Sequence, residues 1–278
     1  MKLSFKALTT FSVLASALAL SACDQAPKDT NAAQPAATIK PLRVGVIAGT
    51  EEQVAEVAAK VAKEKYNLDV ELISFSDYVT PNVALSDGSL DVNAFQHQPY
   101  LDKQIADRGY ELVPVGKTFV YPIAAYSKVI KSLDELEDGA KVAVPNDPTN
   151  LGRSLLLLEQ QGLIEVDDAA GLEATPLNIT ANPKNLQIIE LEAPQLPRSL
   201  DDVAFAIINT TYASQLNLVP DRDGLFVEDK DSPYTNLIVA RKDNQGDERV
   251  LTFVKAYQSD EVYEAAKELF KGGVVKGW

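Results

Sequence analysis

From Leu42 onward, short continuous apolar runs alternate with longer stretches of helical spacing. "LRVGVIAGT" is nearly unbroken apolar sequence, which predicts a parallel strand buried on both faces. In "EEQVAEVAAKVAKEKYN", Val54, Val57, Ala58, Val61 and Ala62 recur at helical spacing behind a glutamate-rich start, which predicts an amphipathic helix. "DVELISFSDY", "TPNVALSDGS" and "DVNAFQH" read as strand, short helix and strand, and "PYLDKQIADRG" as a helix entered through proline and closed by Gly109. "ELVPVGKTFVYPIAAYS" is extended and interrupted by Pro114 and Pro122, as expected of a segment running between two bodies. A second set follows in "AKVAVPN", a leucine-rich helix, "LQIIELEA" and "VAFAIINTTYASQLNL". "SPYTNLIVARKD" is another extended crossing, and "DERVLTFVKAYQSDEVYEAAKELF" reads as a charged amphipathic helix pair.

Strands alternating with helices predict an α/β fold. Two sets joined by two crossings predict two lobes with a cleft between them, each lobe a mostly parallel sheet flanked by helices. Residues 41–122 and 234–278 would form the first lobe and 123–233 the second, with hinges near 121–126 and 232–235. No internal repeat of fixed period is visible.

Residues 1–22 read as a leader: Lys2 and Lys6 precede an apolar stretch, Ala7 to Leu20, too short and interrupted to span a membrane. It ends in "LSAC", the pattern of a bacterial lipobox, which implies cleavage before Cys23 and acylation of that cysteine. Ordinary secretory cleavage leaving a free thiol is the alternative. Residues 23–40, rich in Ala, Pro, Asn and Gln, read as a flexible tether, so the mature chain would sit at the cell membrane on a lipid anchor, facing the periplasm. Asp24 matches a common inner-membrane retention signal of such lipoproteins.

A net charge of −14 argues against nucleic-acid partners. With one histidine and one cysteine in the whole chain, no zinc site of the His/Cys type can form, and a cysteine nucleophile is absent once Cys23 is acylated. No G-x-S-x-G, P-loop or G-x-G-x-x-G follows a predicted strand. A binding protein without metal or cofactor is therefore expected rather than an enzyme, although chemistry by carboxylates alone stays open.

The candidate chemistry lies beyond the carboxyl ends of the strands, where parallel α/β sheets bind ligands. In "DVNAFQH", period two puts Asn93, Phe95 and His97 on one side. Other strands end at Asn146 and Asn209. In "PNDPTNLGRSLLLLEQQG", Asp147 is a plausible N-cap and Pro148 suits the first helical position, while Leu155 to Leu158 mark a buried helix. Asn146, Asn150 and Arg153 would crowd its entrance. Arg153 reads either as an unpaired cation awaiting a ligand carboxylate in a two-point fork or as half of a structural ion pair with an Asp or Glu. With Tyr78, Phe95, His97 and Tyr100 near by, the set suits a zwitterion with an apolar tail.

At these residues the chain resembles the methionine-binding lipoproteins of the MetQ/NlpA family, the substrate-binding components of ABC-type importers. "DVNAFQHQPYLD" (91–102) and "NDPTNLGRSLLLLEQQGLI" (146–164) carry most of the resemblance, with "AIINTTYA" and "SPYTNLIVAR" in support. It implies a two-lobed periplasmic-binding-protein fold with methionine, in the L or also the D form, held between the lobes. Tyr78, Phe95, His97 and Tyr100 would contact it from the first lobe, Asn150, Arg153 and Asn209 from the second, and Asn236 from the returning crossing. The partners implied are an ABC permease and its ATPase subunit. Another small amino acid or a short peptide as ligand, or service as a surface adhesin, are the alternatives.

Overall fold

The crossing expected around Pro114 and Pro122 is two strands that serve different sheets. The computed structural model describes residues 40–229 and 232–278, so the leader, Cys23 and the tether lie outside the described residues except for Lys40. In chain order the elements are β1 (Leu42–Ile47), α1 (Thr50–Tyr66), β2 (Val70–Phe75), α2 (Thr80–Ser86), β3 (Val92–His97), α3 (Gln98–Arg108), β4 (Leu112–Val120) and β5 (Ala124–Tyr126). Then come β6 (Lys141–Pro145), α4 (Pro148–Gln160), β7 (Glu165–Val166), β8 (Ile179–Ala181), β9 (Gln187–Leu191), α5 (Leu196–Ser199), β10 (Phe205–Ile208), α6 (Thr210–Ala213) and α7 (Pro220–Asp223). The chain finishes with β11 (Phe226–Val227), β12 (Thr235–Arg241), α8 (Glu248–Tyr257), α9 (Asp260–Leu269) and β13 (Val275–Lys276).

One sheet has the order β13-β4-β12-β3-β1-β2 and the other β11-β5-β10-β6-β9, while β7 and β8 pair separately. Both sheets are parallel where a helix links successive strands, β1 with β2 and β3, and β6 with β9 and β10. They turn antiparallel where the long crossings enter: β12 against β3 and β4, and β5 against β10 and β11. A parallel neighbour needs a crossover connection, which these segments lack. Pro114 is tolerated because β13 covers β4 only at Phe119 and Val120, and pairing with β12 shifts register beside it.

The first sheet is covered on one face by α1, α8 and α9, with Val44, Val54, Ala58, Phe119, Phe253 and Val262 in the core between them. Leu85, Leu101, Leu112, Leu237 and Val239 fill a second core beneath α2 and α3. In the second sheet, Leu155, Leu157 and Leu158 of α4 are at most 2% exposed, each burial being worth about 1.5–3 kcal/mol. Leu156 is half-buried, so the four-leucine run is not covered all round. The helix starts as its sequence predicts, with Asp147 accepting from the Asn150 N–H at 3.0 Å. It stops before Gly162, where the Leu163 N–H reaches back to the Leu158 carbonyl at 3.1 Å. Midway, a Cβ on Gly152 would stand 2.2 Å from the Leu172 carbonyl oxygen, so only glycine lets this helix pack against the 168–173 turn.

Candidate functional site

The two sheets present their strand ends to each other. Ile47 and Phe95 from one sheet meet Ala143, Ala206 and Ile208 from the other in a shared apolar cluster with Tyr100 and Tyr212. Beside it lies a narrow cavity of about 20 Å³. All eight residues singled out in the sequence line it: Tyr78, Phe95, His97, Tyr100, Asn150, Arg153, Asn209 and Asn236. Gln96, Tyr121, Thr210 and Thr211 line it too; three of them sit inside the quoted motifs but were not singled out. Asn146, expected at the same entrance, is exposed and lines a wider outer groove with Arg198. Its strand pairs β9 through the Asn146 N–H to Leu191, which turns the side chain out of the cavity wall.

The polar wall is a continuous chain of hydrogen bonds. His97 occupies the N-cap of α3, its Nδ1 accepting from the Tyr100 N–H at 3.1 Å, so Nε2 carries the proton. That Nε2 lies 3.2 Å from Asn150 Oδ1, which also accepts from Asn209 Nδ2 at 3.0 Å. Asn150 Nδ2 donates to both Asp147 oxygens at 2.9 Å. These contacts fix every amide orientation and leave Asn209 Oδ1 as a buried acceptor with no partner among the described residues. Burial, reinforced by the Arg153 charge, pushes the His97 pKa down to about 3, so the ring is neutral. Burial likewise raises the Asp147 carboxyl.

Arg153 overturns one expectation. It is not an unpaired cation: Nε donates to Glu228 Oε1 at 2.7 Å, and Nη2 bonds Glu228 Oε2 and the Tyr121 carbonyl, the latter at 3.1 Å. The two side chains are only 4% and 10% exposed. The Tyr234 ring lies under the guanidinium, 4.2 Å from its carbon. A cation this deeply buried without a counter-charge would be severely destabilising, so the ion-pair alternative holds and the two-point fork is filled by the protein itself. Arg153 still borders the cavity while Glu228 lies behind it, outside the lining, and the hydrogen bonds of the guanidinium to described residues use Nε and Nη2.

The apolar wall is aromatic. Tyr78 stacks on Phe95 at 5.9 Å between centroids, and Tyr100 stands edge-on to both at 6.3 and 6.0 Å. The Tyr100 hydroxyl donates to the Tyr78 carbonyl at 2.8 Å, locking the two. Asn93 does not share their side. The register of β3 against β12 shifts between Ala94 and Gln96, breaking strict alternation, and Asn93 Nδ2 donates instead to Asn82 and the Pro81 carbonyl. Asn236 Nδ2 holds the extra carbonyl, that of Phe95, at 2.9 Å.

Glu51 in the first turn of α1 accepts from the Thr211 hydroxyl at the start of α6. Glu51 is 3% exposed, and burial pushes its pKa up to about 8 despite that hydrogen bond. Tyr212 Oη donates to the Ser76 carbonyl at 3.2 Å, a second tie between the two sheets' helices and loops.

Known proteins are similar to this chain in sequence and fold. The chain is 65% identical to the D-methionine-binding lipoprotein MetQ of Salmonella typhimurium, over the full length of both. A crystal structure of the methionine-binding protein MetQ, 69% identical, superposes with a TM-score of 0.84, covering 85% of this chain and 98% of that one. The periplasmic substrate-binding protein of an ABC transporter from Coxiella burnetii, 51% identical, superposes at 0.83, covering 85% of this chain and all of the other. The profile of the NlpA lipoprotein family matches residues 42–278, and the chain belongs to that family.

Proposed function

We propose that this protein is a lipid-anchored substrate-binding component of an ABC importer, capturing methionine in the cavity between its two sheets. It would hand the amino acid to a membrane permease and its ATPase subunit on the periplasmic side. The observation that carries the reading is the cavity's mixed wall, with an aromatic box on one side and a polar end on the other. Tyr78, Phe95 and Tyr100 suit a thioether side chain, since sulfur packs well against aromatic rings. The unpartnered Asn209 Oδ1 suits an ammonium donor, and the remaining Arg153 nitrogen suits a carboxylate.

The energy required is modest. Micromolar capture needs about 8 kcal/mol. A charged hydrogen bond contributes roughly 1.5–3 kcal/mol, and burying a Met side chain roughly 1.5–3 kcal/mol. A few such contacts suffice, with a remainder to draw the lobes together about hinges near 121–126 and 232–235. In this reading residues 41–122 and 234–278 move against 123–233, and Cys23 holds the assembly at the membrane.

Calorimetry on protein unfolded and refolded to strip any carried ligand tests the proposal. One molecule of L- or D-methionine bound per chain is expected. Heat with another amino acid and none with either methionine would overturn it.

A further inference from the structure

The Arg153–Glu228 pair means that a ligand meets a cavity whose cation is already neutralised. His97 is neutral as well, held as a hydrogen-bond acceptor at Nδ1 and a donor at Nε2. A ligand carrying only a carboxylate would add one uncompensated negative charge against an Arg153 already neutralised by Glu228 behind it. A ligand carrying an ammonium as well adds no net charge. Its positive end can also satisfy the buried Asn209 acceptor that the protein leaves empty.

We propose that Glu228 is a specificity-determining residue, one that makes the site demand an amino acid's ammonium together with its carboxylate. Without Glu228 the guanidinium would offer its whole fork to any small carboxylate of the right length. With it, carboxylate recognition is restricted to the remaining Arg153 edge and penalised unless the ligand brings its own positive charge. The penalty comes from geometry and burial: Glu228 is fixed by two bonds to Arg153. The Tyr121 carbonyl and the Tyr234 ring contact the same guanidinium and help hold the pair where it stands. This inference rests on the methionine reading above and assigns to Glu228 the selection for zwitterions.

The test is calorimetric titration of wild type and Glu228→Gln with methionine and with 4-(methylsulfanyl)butanoate, which keeps the carboxylate and thioether but lacks the amine. The preference of wild type for methionine should fall by about tenfold or more in Glu228→Gln, the scale of one lost charged interaction. An unchanged preference in a folded variant overturns the proposal. A second comparison needs no variant: in wild type, 4-(methylsulfanyl)butanamide should bind at least as well as the butanoate. Butanoate binding more than tenfold tighter than the amide would overturn the proposal just as directly. Absence of methionine binding to wild type would overturn the parent reading and this one with it. Methionine binding with an unchanged preference would overturn this one alone.

Discussion

Glu51→Gln should remove a pH-dependent loss of stability that the wild-type protein shows between about pH 6.5 and 8. The carboxyl is 3% exposed, and its pKa rises from 4.5 to about 8 because burial disfavours the charged form. A carboxyl raised in this way leaves the fold fully stable below its ordinary pKa and takes stability away as pH climbs to the folded value. Each pH unit between the two values costs about 1.4 kcal/mol. His97 acts in the opposite sense. Its pKa falls from 6.5 to about 3 on folding, so the fold gains stability as pH rises between those values. From pH 4.5 to 6.5 the two slopes nearly cancel. Above 6.5 the His97 gain has ended, and the Glu51 contribution from there to pH 8 is a loss of about 2 kcal/mol.

Glutamine keeps an oxygen for the Thr211 hydroxyl and cannot ionise, so the loss of about 2 kcal/mol that Glu51 causes from pH 6.5 to 8 should be missing from the variant. Below that range the variant should gain nearly 3 kcal/mol relative to wild type between pH 4.5 and 6.5, because it lacks the Glu51 loss. Urea unfolding followed by circular dichroism at half-unit steps measures both curves. Asp147, also raised by burial, contributes equally to the two proteins and drops out of their difference. If variant and wild type lose stability in parallel above pH 6.5, Glu51 is ionised in the folded state and the reasoning fails.

Arg153→Ala should abolish methionine binding and also destabilise the fold by about 3–5 kcal/mol, because Glu228 is then buried without a counter-charge. Adding Glu228→Gln should restore most of that stability without restoring binding, as thermal melts and calorimetry would show. Asn209→Ala should weaken methionine by about ten- to a hundredfold, the scale of a charged hydrogen bond, while stability falls by only about 0.5–1.5 kcal/mol for the one bond its Nδ2 makes to Asn150. Its oxygen already lacks a partner, so a large drop in the melting temperature would contradict the role assigned to it. Gly152→Ala drives a methyl group into the Leu172 carbonyl and should lower stability by about 1–3 kcal/mol, read as a lower urea midpoint.

The fold was legible because its signals are local. Apolar runs, the Asp147 cap, the Gly109 and Gly162 stops and the prolines of the crossings each act within a few residues, and the strands and helices lie where those signals put them. The eight cavity residues came as a set from the family resemblance; the convergence of strand ends and helix starts in an α/β fold pointed by itself to Phe95, His97, Arg153 and Asn209, but also to Asn93 and Asn146, which do not line the cavity. What stayed hidden depends on pairings distant in sequence. Glu228 lies 75 positions from Arg153, in "FVED", with nothing to mark it among 40 acidic residues. The Asn93 error has a similar origin. Period two assumes a regular strand, and the register shift opposite Leu237 is set by a partner about 140 residues later. The same long-range pairing changes what the arginine means. Read locally, Arg153 is a cation awaiting an anion. Set against Glu228, it is half of a neutral unit, and charge balance in the cavity then has to come from the ligand. An amino acid meets that condition and a simple acid does not, so the residue that sequence could not reveal is the one on which selectivity would turn.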